Sequence, residues 1–203
     1  MRGRFIVIEG IDGSGKSTLV SRLAEDLAAI GRKVLRTREP GGTPISEKIR
    51  TLVLDNKNHR MVPLTEFFLY MASRAQLVEE VIRPALAAGH IVISDRYYYS
   101  TAAYQGAAGQ VGVDAVLGVS EKVARFQRPD LVVLLDLPPR VARTRQGIRD
   151  DRVESKGLQY QERVRRGFLV IARRERKRFR VFDAAQPAGA LYEAVRKEVA
   201  RVL

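Results

Sequence analysis

Residues 4–18 read Arg4-Phe5-Ile6-Val7-Ile8-Glu9-Gly10-Ile11-Asp12-Gly13-Ser14-Gly15-Lys16-Ser17-Thr18. Arg4 to Glu9 is a short, mostly apolar run, which predicts a buried strand. Leu19, Leu23, Leu27 and Ile30 follow at helical spacing and stop at Gly31, where a helix C-terminus favours glycine. Between strand and helix, Gly10 to Thr18 fits G-x-x-x-x-G-K-S in the context that pattern requires. Glycines let backbone N–H groups converge on phosphate oxygens, and the helix N-terminus adds partial positive charge. Gly10, Ile11, Asp12, Gly13, Ser14, Gly15, Lys16, Ser17 and Thr18 are thus the candidate ATP cradle. Lys16 is expected on the β- and γ-phosphates and the Ser17 hydroxyl on Mg2+. The plain alternative is a glycine-rich turn that happens to hold a lysine, but both flanking elements are in place. The pattern points to a nucleoside triphosphate and leaves open what is done with it.

Working outward, Val34–Thr37, Ile91–Asp95, Leu131–Asp136 and Arg178–Phe182 read as further short strands. Helical stretches are expected around 45–54, 65–86 and 112–127, and at the end through Leu191, Val195, Val199 and Val202. Strands apolar throughout and separated by helices indicate a parallel sheet covered on both faces, an α/β fold. With the phosphate loop this is the P-loop NTPase class. No repeat, linker or low-complexity tract divides the 203 residues, so one domain spanning 1–203 is expected.

Composition removes several alternatives. The chain has no Cys, which excludes a disulfide framework, a thiolate zinc site and a Cys nucleophile. Its two histidines, His59 and His90, are too few for a His-rich metal centre and carry no readable role. No apolar run approaches the ~18 residues of a membrane span, and Met1–Glu9 is too short for a signal peptide, so a cytoplasmic protein is expected. The net charge is +13, and residues 140–203 alone, with 18 basic and 8 acidic side chains, supply +10 of it. Such an excess predicts anionic partners without choosing among nucleic acid, membrane surface and phosphorylated small molecules.

The third strand ends in Asp95-Arg96-Tyr97. A carboxylate there can hold the Mg2+ shell, and an Arg beside it can clamp a second anionic group with its fork. The alternative is a surface ion pair. Together with Gly10–Thr18, the runs Thr37-Arg38-Glu39-Pro40-Gly41-Gly42-Thr43, Ser100-Thr101-Ala102-Ala103-Tyr104-Gln105-Gly106 and Asp151-Arg152-Val153-Glu154 complete a set, in this order. That set resembles the thymidylate kinase family over essentially the whole chain. The resemblance implies phosphorylation of dTMP to dTDP by Mg2+·ATP in dTTP synthesis, five parallel strands, a homodimer, and a mobile lid at about 140–156. It implies that Asp12 meets the dTMP 3′-hydroxyl, supplying the donor a carboxylate in an anion cradle needs. Arg50 and Arg96 resemble the arginines that hold the monophosphate, and Glu39 lies in an acceptor-site motif.

The resemblance draws the base reader from Tyr70, Arg74, Thr101 and Gln105, with Tyr104 under the deoxyribose. Tyr70 and Arg74 share one helix face. The family ring at position 70 is usually Phe, so Tyr70 departs from the pattern, and a core aromatic is its alternative reading. The phosphate loop carries no Arg, which resembles the branch that supplies arginines from the lid. Of Arg140, Arg143, Arg145, Arg149 and Arg152, the favoured pair is Arg143 and Arg149, joining Lys16, Asp12 and Arg96 as catalytic candidates. Ser17 and Asp95 are the metal candidates.

Two rivals remain: a kinase for another nucleotide or nucleoside, and a basic P-loop ATPase that binds nucleic acid. For the second, Arg163, Arg166, Arg173, Arg174 and Lys177 cluster near one helical face, while Tyr160, Val164, Phe168 and Ile171 fall on another. No base-stacking aromatics interleave with these charges, which favours a solvated face opposite a core stripe and makes nucleic acid the lesser reading.

Overall fold

Five strands, β1 (Arg4–Glu9), β2 (Val34–Arg38), β3 (Ile91–Asp95), β4 (Leu131–Asp136) and β5 (Phe179–Asp183), form one parallel sheet in the order β2-β3-β1-β4-β5. The computed structural model describes residues 3–123, 126–146 and 151–203. β1, β3 and β4 are buried along almost their whole length, which is why their sequences are apolar throughout instead of alternating. In register, Ile8 faces Asp95 and Asp95 faces Arg38, so the C-terminal ends of β1, β2 and β3 finish at one level. The chain fills the β2–β3 side of β1 first and then crosses to β4. Such a reversal opens a crevice beyond the strand ends, the usual ligand position in open α/β sheets.

Helix α1 (Lys16–Ala29) ends as expected: Gly31 has φ +78°, its N–H reaches the Ala28 carbonyl and that of Arg32 reaches Leu27. The β1-to-β2 connection steps along the sheet in the opposite direction to the later ones, so right-handed crossovers place α1 on its own face. α9 (Ala188–Val202) joins it there, with the Arg22 guanidinium 3.7 Å from the Tyr192 ring centre and the Tyr192 hydroxyl bonded to Asp26. The other face carries α2 (Pro44–Leu54), α3 (Pro63–Leu77) and its continuation through a π turn into α4 (Arg83–Ala87). It also carries α5 (Tyr98–Thr101), α6 (Val113–Gly118) and α8 (Leu158–Arg174). The stretch expected as a helix over 112–127 is shorter, α6 passing into a π turn at Val119–Val123.

Two elements escape the sequence pattern. α5 runs on into a π-helical stretch, Ala102–Ala108, where no helix was expected. α8 presses directly onto it: a Cβ on Gly167 would lie 2.7 Å from the Ala107 side chain. The second is α7 (Pro139–Gln146), which begins where Pro138-Pro139 reads as a break, because proline is favoured in the first helical turn. The expected lid, 140–156, therefore starts as helix and ends as a turn at 151–156. Residues 147–150, with Arg149, lie outside the described residues.

Tyr160, Val164, Phe168 and Ile171 of α8 are buried in the core. On the opposite side Arg163, Arg166, Arg173, Arg174 and Lys177 are all exposed, and Arg174 pairs with Asp114 at 2.8 Å.

Candidate active site

The phosphate loop leaves β1 at Gly10, which only glycine can occupy: φ is +144° and a Cβ would sit 2.6 Å from the Leu135 carbonyl oxygen. The loop turns back so that Lys16, buried at the start of α1, donates to the Ile11 carbonyl at 2.9 Å and lies 3.5 Å from Asp12. Burial and the nearby Arg96 cation push the Lys16 pKa down, with Asp12, Asp95 and Glu9 opposing them. Asp12, Gly13, Gly15, Lys16, Ser17 and Thr18 line a pocket over the loop. Ile11 and Ser14 are buried and shape the turn from behind.

Ser17 donates its hydroxyl proton to Asp95 Oδ2 at 2.7 Å. A hydroxyl and a carboxylate at the ends of adjacent elements are hard oxygen donors of the kind Mg2+ takes. Among the described residues no group of three acids or histidines could hold a metal alone. Phosphate oxygens and water would complete such a shell, so the residues present fit a cation that arrives with a nucleotide.

Arg96 is the pivot. Its backbone is left-handed, φ 73°, a conformation that costs a non-glycine residue about 1–2 kcal/mol. Held this way, the guanidinium turns back across the loop and donates to the Gly10 carbonyl at 2.9 Å, Ser100 Oγ at 3.0 Å and Asp12 Oδ1 at 2.6 Å. Burial opposes its charge, yet the Asp12 carboxylate holds its pKa well above that of a free guanidinium. Asp12 in turn is held well below the usual carboxylate range, because Arg96 and Lys16 outweigh the upward push of burial. Arg96 thus already compensates Asp12, a part that the family resemblance gives to a sugar hydroxyl.

A second pocket adjoins the first. Every acceptor residue expected from sequence lines it: Asp12, Glu39, Arg50, Tyr70, Arg74, Arg96, Thr101, Tyr104 and Gln105. Asp12, Glu39, Arg50 and Arg96 line both pockets and so form their common wall. Tyr70 is half-buried at this pocket and not sealed in the core. Arg74, only 2% exposed, donates Nε to Glu39 at 2.6 Å and NH2 to Thr101 Oγ1 at 2.9 Å. The second carboxylate oxygen of Glu39 is buried without a partner. Burial pushes Glu39 up to about 7, against the pull of Arg74. The Tyr104 ring lies under the Arg96 guanidinium, 5.2 Å from its carbon. Arg50 donates to the Pro40 carbonyl at 2.9 Å.

Several contributors were not singled out from sequence. Glu9, fully buried at the end of β1, accepts from the Tyr97 N–H at 2.9 Å, the Ser100 N–H at 3.1 Å and the Ser100 hydroxyl at 2.6 Å. It thereby fixes the start of α5 and, through Ser100, the Arg96 fork; burial pushes it up to about 7. The signal was available: an acid closing an otherwise apolar strand. Of the lid arginines, Arg143 is exposed and lines neither pocket, whereas Arg145 lines the phosphate pocket and donates to the Ala184 carbonyl at 2.8 Å. Arg152 is buried elsewhere, donating Nε to the Val53 carbonyl and paired with Glu66 at 2.5 Å.

The family model for thymidylate kinase matches residues 8–195. Curated relatives named thymidylate kinase match nearly end to end. The Deinococcus radiodurans protein is 45% identical, covering 94% of this chain and 93% of its own length. That of Geobacter sulfurreducens is 44% identical (95% and 94%), and that of Caldanaerobacter subterraneus 43% (100% and 98%).

Proposed function

The chain belongs to the thymidylate kinase family, and from that premise we infer how its residues carry ATP and dTMP to ADP and dTDP, a step toward dTTP. The observation that carries the reading is the common wall of the two pockets at Asp12, Arg50 and Arg96. A triphosphate on the loop and a monophosphate in the second pocket would meet there. The acceptor phosphate oxygen attacks the γ-phosphorus, the bond to the β-phosphate oxygen breaks, and no covalent enzyme intermediate forms. Bringing polyanions into contact is mainly a charge problem, and Lys16, Arg50 and Arg96 surround the meeting point. Mg2+ bound at Ser17 and Asp95 would neutralise further charge on the β- and γ-phosphates. Asp12 keeps Arg96 aimed at the junction and faces the sugar. Residues 1–203 act as one kinase domain, supported by the single sheet and one apolar core from Phe5 to Val199.

Arg145 and Arg149 are the arginines we assign to the transferring phosphoryl group, Arg145 because it already lines the phosphate pocket. Such an arginine is worth about 10³–10⁵ in rate. Arg145→Ala and Arg149→Ala, assayed at saturating ATP, should include at least one with kcat reduced about 10³-fold and dTMP binding nearly intact. Arg143→Ala should stay within a few-fold of the parent. Both of the first two within a few-fold would remove the lid arginines from the mechanism.

Base recognition falls to Tyr70, Arg74, Thr101 and Gln105, and Tyr104 stands where a 2′-hydroxyl would intrude. A methyl group in an apolar pocket is worth ~1–3 kcal/mol, so dUMP should be a poorer but real acceptor. Reversed polar groups on a base edge can cost ~10⁴-fold, so dCMP should be nearly inert. The test is ADP formation from Mg2+·ATP with each monophosphate, thymidine and single-stranded DNA in turn. Turnover with dTMP, weaker with dUMP and absent with dCMP, is expected. Preference for thymidine would point to a nucleoside kinase, and stimulation only by DNA to the basic surface.

Two further features complete the proposal. Ile45 and Leu52 on α2, and Leu64 and Phe68 on α3, are exposed stripes on two helices that pack together, and they support a homodimer across this face. Sedimentation at twice the chain mass would test it. No helix among the described residues is long and apolar enough to cross a membrane, and we place the protein in the cytoplasm with its nucleotide substrates.

A further inference from the structure

Glu66 stands behind the base pocket and not in it. It lies in the first turn of α3, 1% exposed, and is not among the pocket-lining residues. Three groups converge on its carboxylate: Gln105 Nε2 at 2.5 Å, Lys156 Nζ at 3.1 Å and Arg152 at 2.5 Å. Burial favours the neutral form, but Lys156, the Gln105 amide and Arg152 together hold the pKa below the usual carboxylate value. An ionised carboxylate has no hydrogen to give. Only the NH2 end of Gln105 can therefore face it, which leaves the carbonyl oxygen as the group that Gln105 can offer to the pocket it lines. Arg74, also assigned to the base, can only donate, and the Thr101 hydroxyl oxygen already accepts from it at 2.9 Å.

We propose that Glu66 is the positioning residue for base selection: it pins Gln105 so that the pocket offers one acceptor, from Gln105, beside one donor, from Arg74. That pattern suits a pyrimidine with N–H at ring position 3 and a carbonyl at position 4. It refuses one with a lone pair at position 3 and an amino group at position 4. Because Arg152 and Lys156 end on the same carboxylate, the amide orientation is also tied to the 151–156 turn, whose Asp151 and Val153 line the pocket. The inference rests on Gln105 reading the base, as proposed above.

Glu66→Gln tests it, since a neutral amide can accept or donate and lets Gln105 turn over. The kcat/KM ratio of dTMP to dCMP should fall at least tenfold. The ratio of dTMP to dUMP, which present the same polar edge, should change less than threefold. Glu66→Gln leaves Arg152 buried without its counter-charge, so the pair Glu66→Gln/Arg152→Met, which removes both charges, is measured alongside and should behave alike. If the folded variants lose activity toward all three acceptors in equal proportion, Glu66 only supports the fold and the proposal is wrong. Gln105→Leu separates the premise from the inference. A dTMP-to-dCMP ratio unchanged by Gln105→Leu overturns base reading by Gln105. A ratio that collapses in Gln105→Leu but survives in Glu66→Gln overturns only the role of Glu66.

Discussion

Arg96→Gln should lower kcat/KM for dTMP phosphorylation about 10³-fold or more, measured as ADP release at varied dTMP. Arg96 touches the phosphate loop at Gly10 and Asp12, lines both pockets and carries a permanent charge. Removing the fork leaves the two polyanions repelling each other where the new bond forms. Gln adds no new backbone penalty, since it occupies the left-handed conformation about as poorly as Arg. The stability loss should stay at about 1–3 kcal/mol, from hydrogen bonds to a part-buried Asp12, the Ser100 hydroxyl and a carbonyl. Arg96→Lys should rescue little, because a point charge cannot make the separate bonds to Gly10, Ser100 and Asp12 at once. Activity within tenfold of the parent would displace Arg96 from the centre of the mechanism.

Arg74→Leu should cost stability as well as activity. It leaves the Glu39 carboxylate buried beside an apolar side chain, and breaking a buried pair from one side costs about 3–5 kcal/mol. Arg74 is also what draws the Glu39 pKa down, so without it Glu39 rises above its present value of about 7. A carboxyl whose folded pKa exceeds its unfolded pKa adds stability at low pH, and that contribution is lost as pH rises through the folded pKa. Denaturant melts should therefore show the Arg74→Leu deficit growing between pH 6 and pH 8. Arg74→Leu/Glu39→Gln removes the stranded charge. It should regain most of the stability and lose the pH slope, yet remain a poor kinase for dTMP, since the donor proposed for the base is still missing. A double variant no more stable than the single one would refute the account of this pair.

How much of this was readable in the chain depends on range. β1, the phosphate loop and α1 follow from adjacent residues, so strand, turn and helix are legible from Arg4 to Gly31. The acceptor candidates stand in short motifs and so are also legible, and the structure brings them to one pocket. What stayed hidden is set by tertiary packing. Tyr97-Tyr98-Tyr99 has the bulk of a strand, but Glu9 binds the Tyr97 and Ser100 N–H groups and starts a helix there. Pro139 looks like a terminator and is an initiator. Glu66 resembles any acid in a first helical turn until residues 39, 86 and 90 positions away close on it. Spacing on α7 could not separate Arg143 from Arg145, because the choice depends on which one faces the phosphate loop.

The two pockets share a wall at Arg96 and Asp12. A phosphate path across that wall is tested most directly by titration calorimetry with a single molecule that carries adenosine and thymidine at the two ends of a five-phosphate chain. If the pockets join, it binds once per chain, more tightly than ATP or dTMP alone because the second contact is intramolecular, and either nucleotide displaces it. Affinity no better than that of ATP, with dTMP unable to compete, would mean that the two pockets do not share a phosphate path.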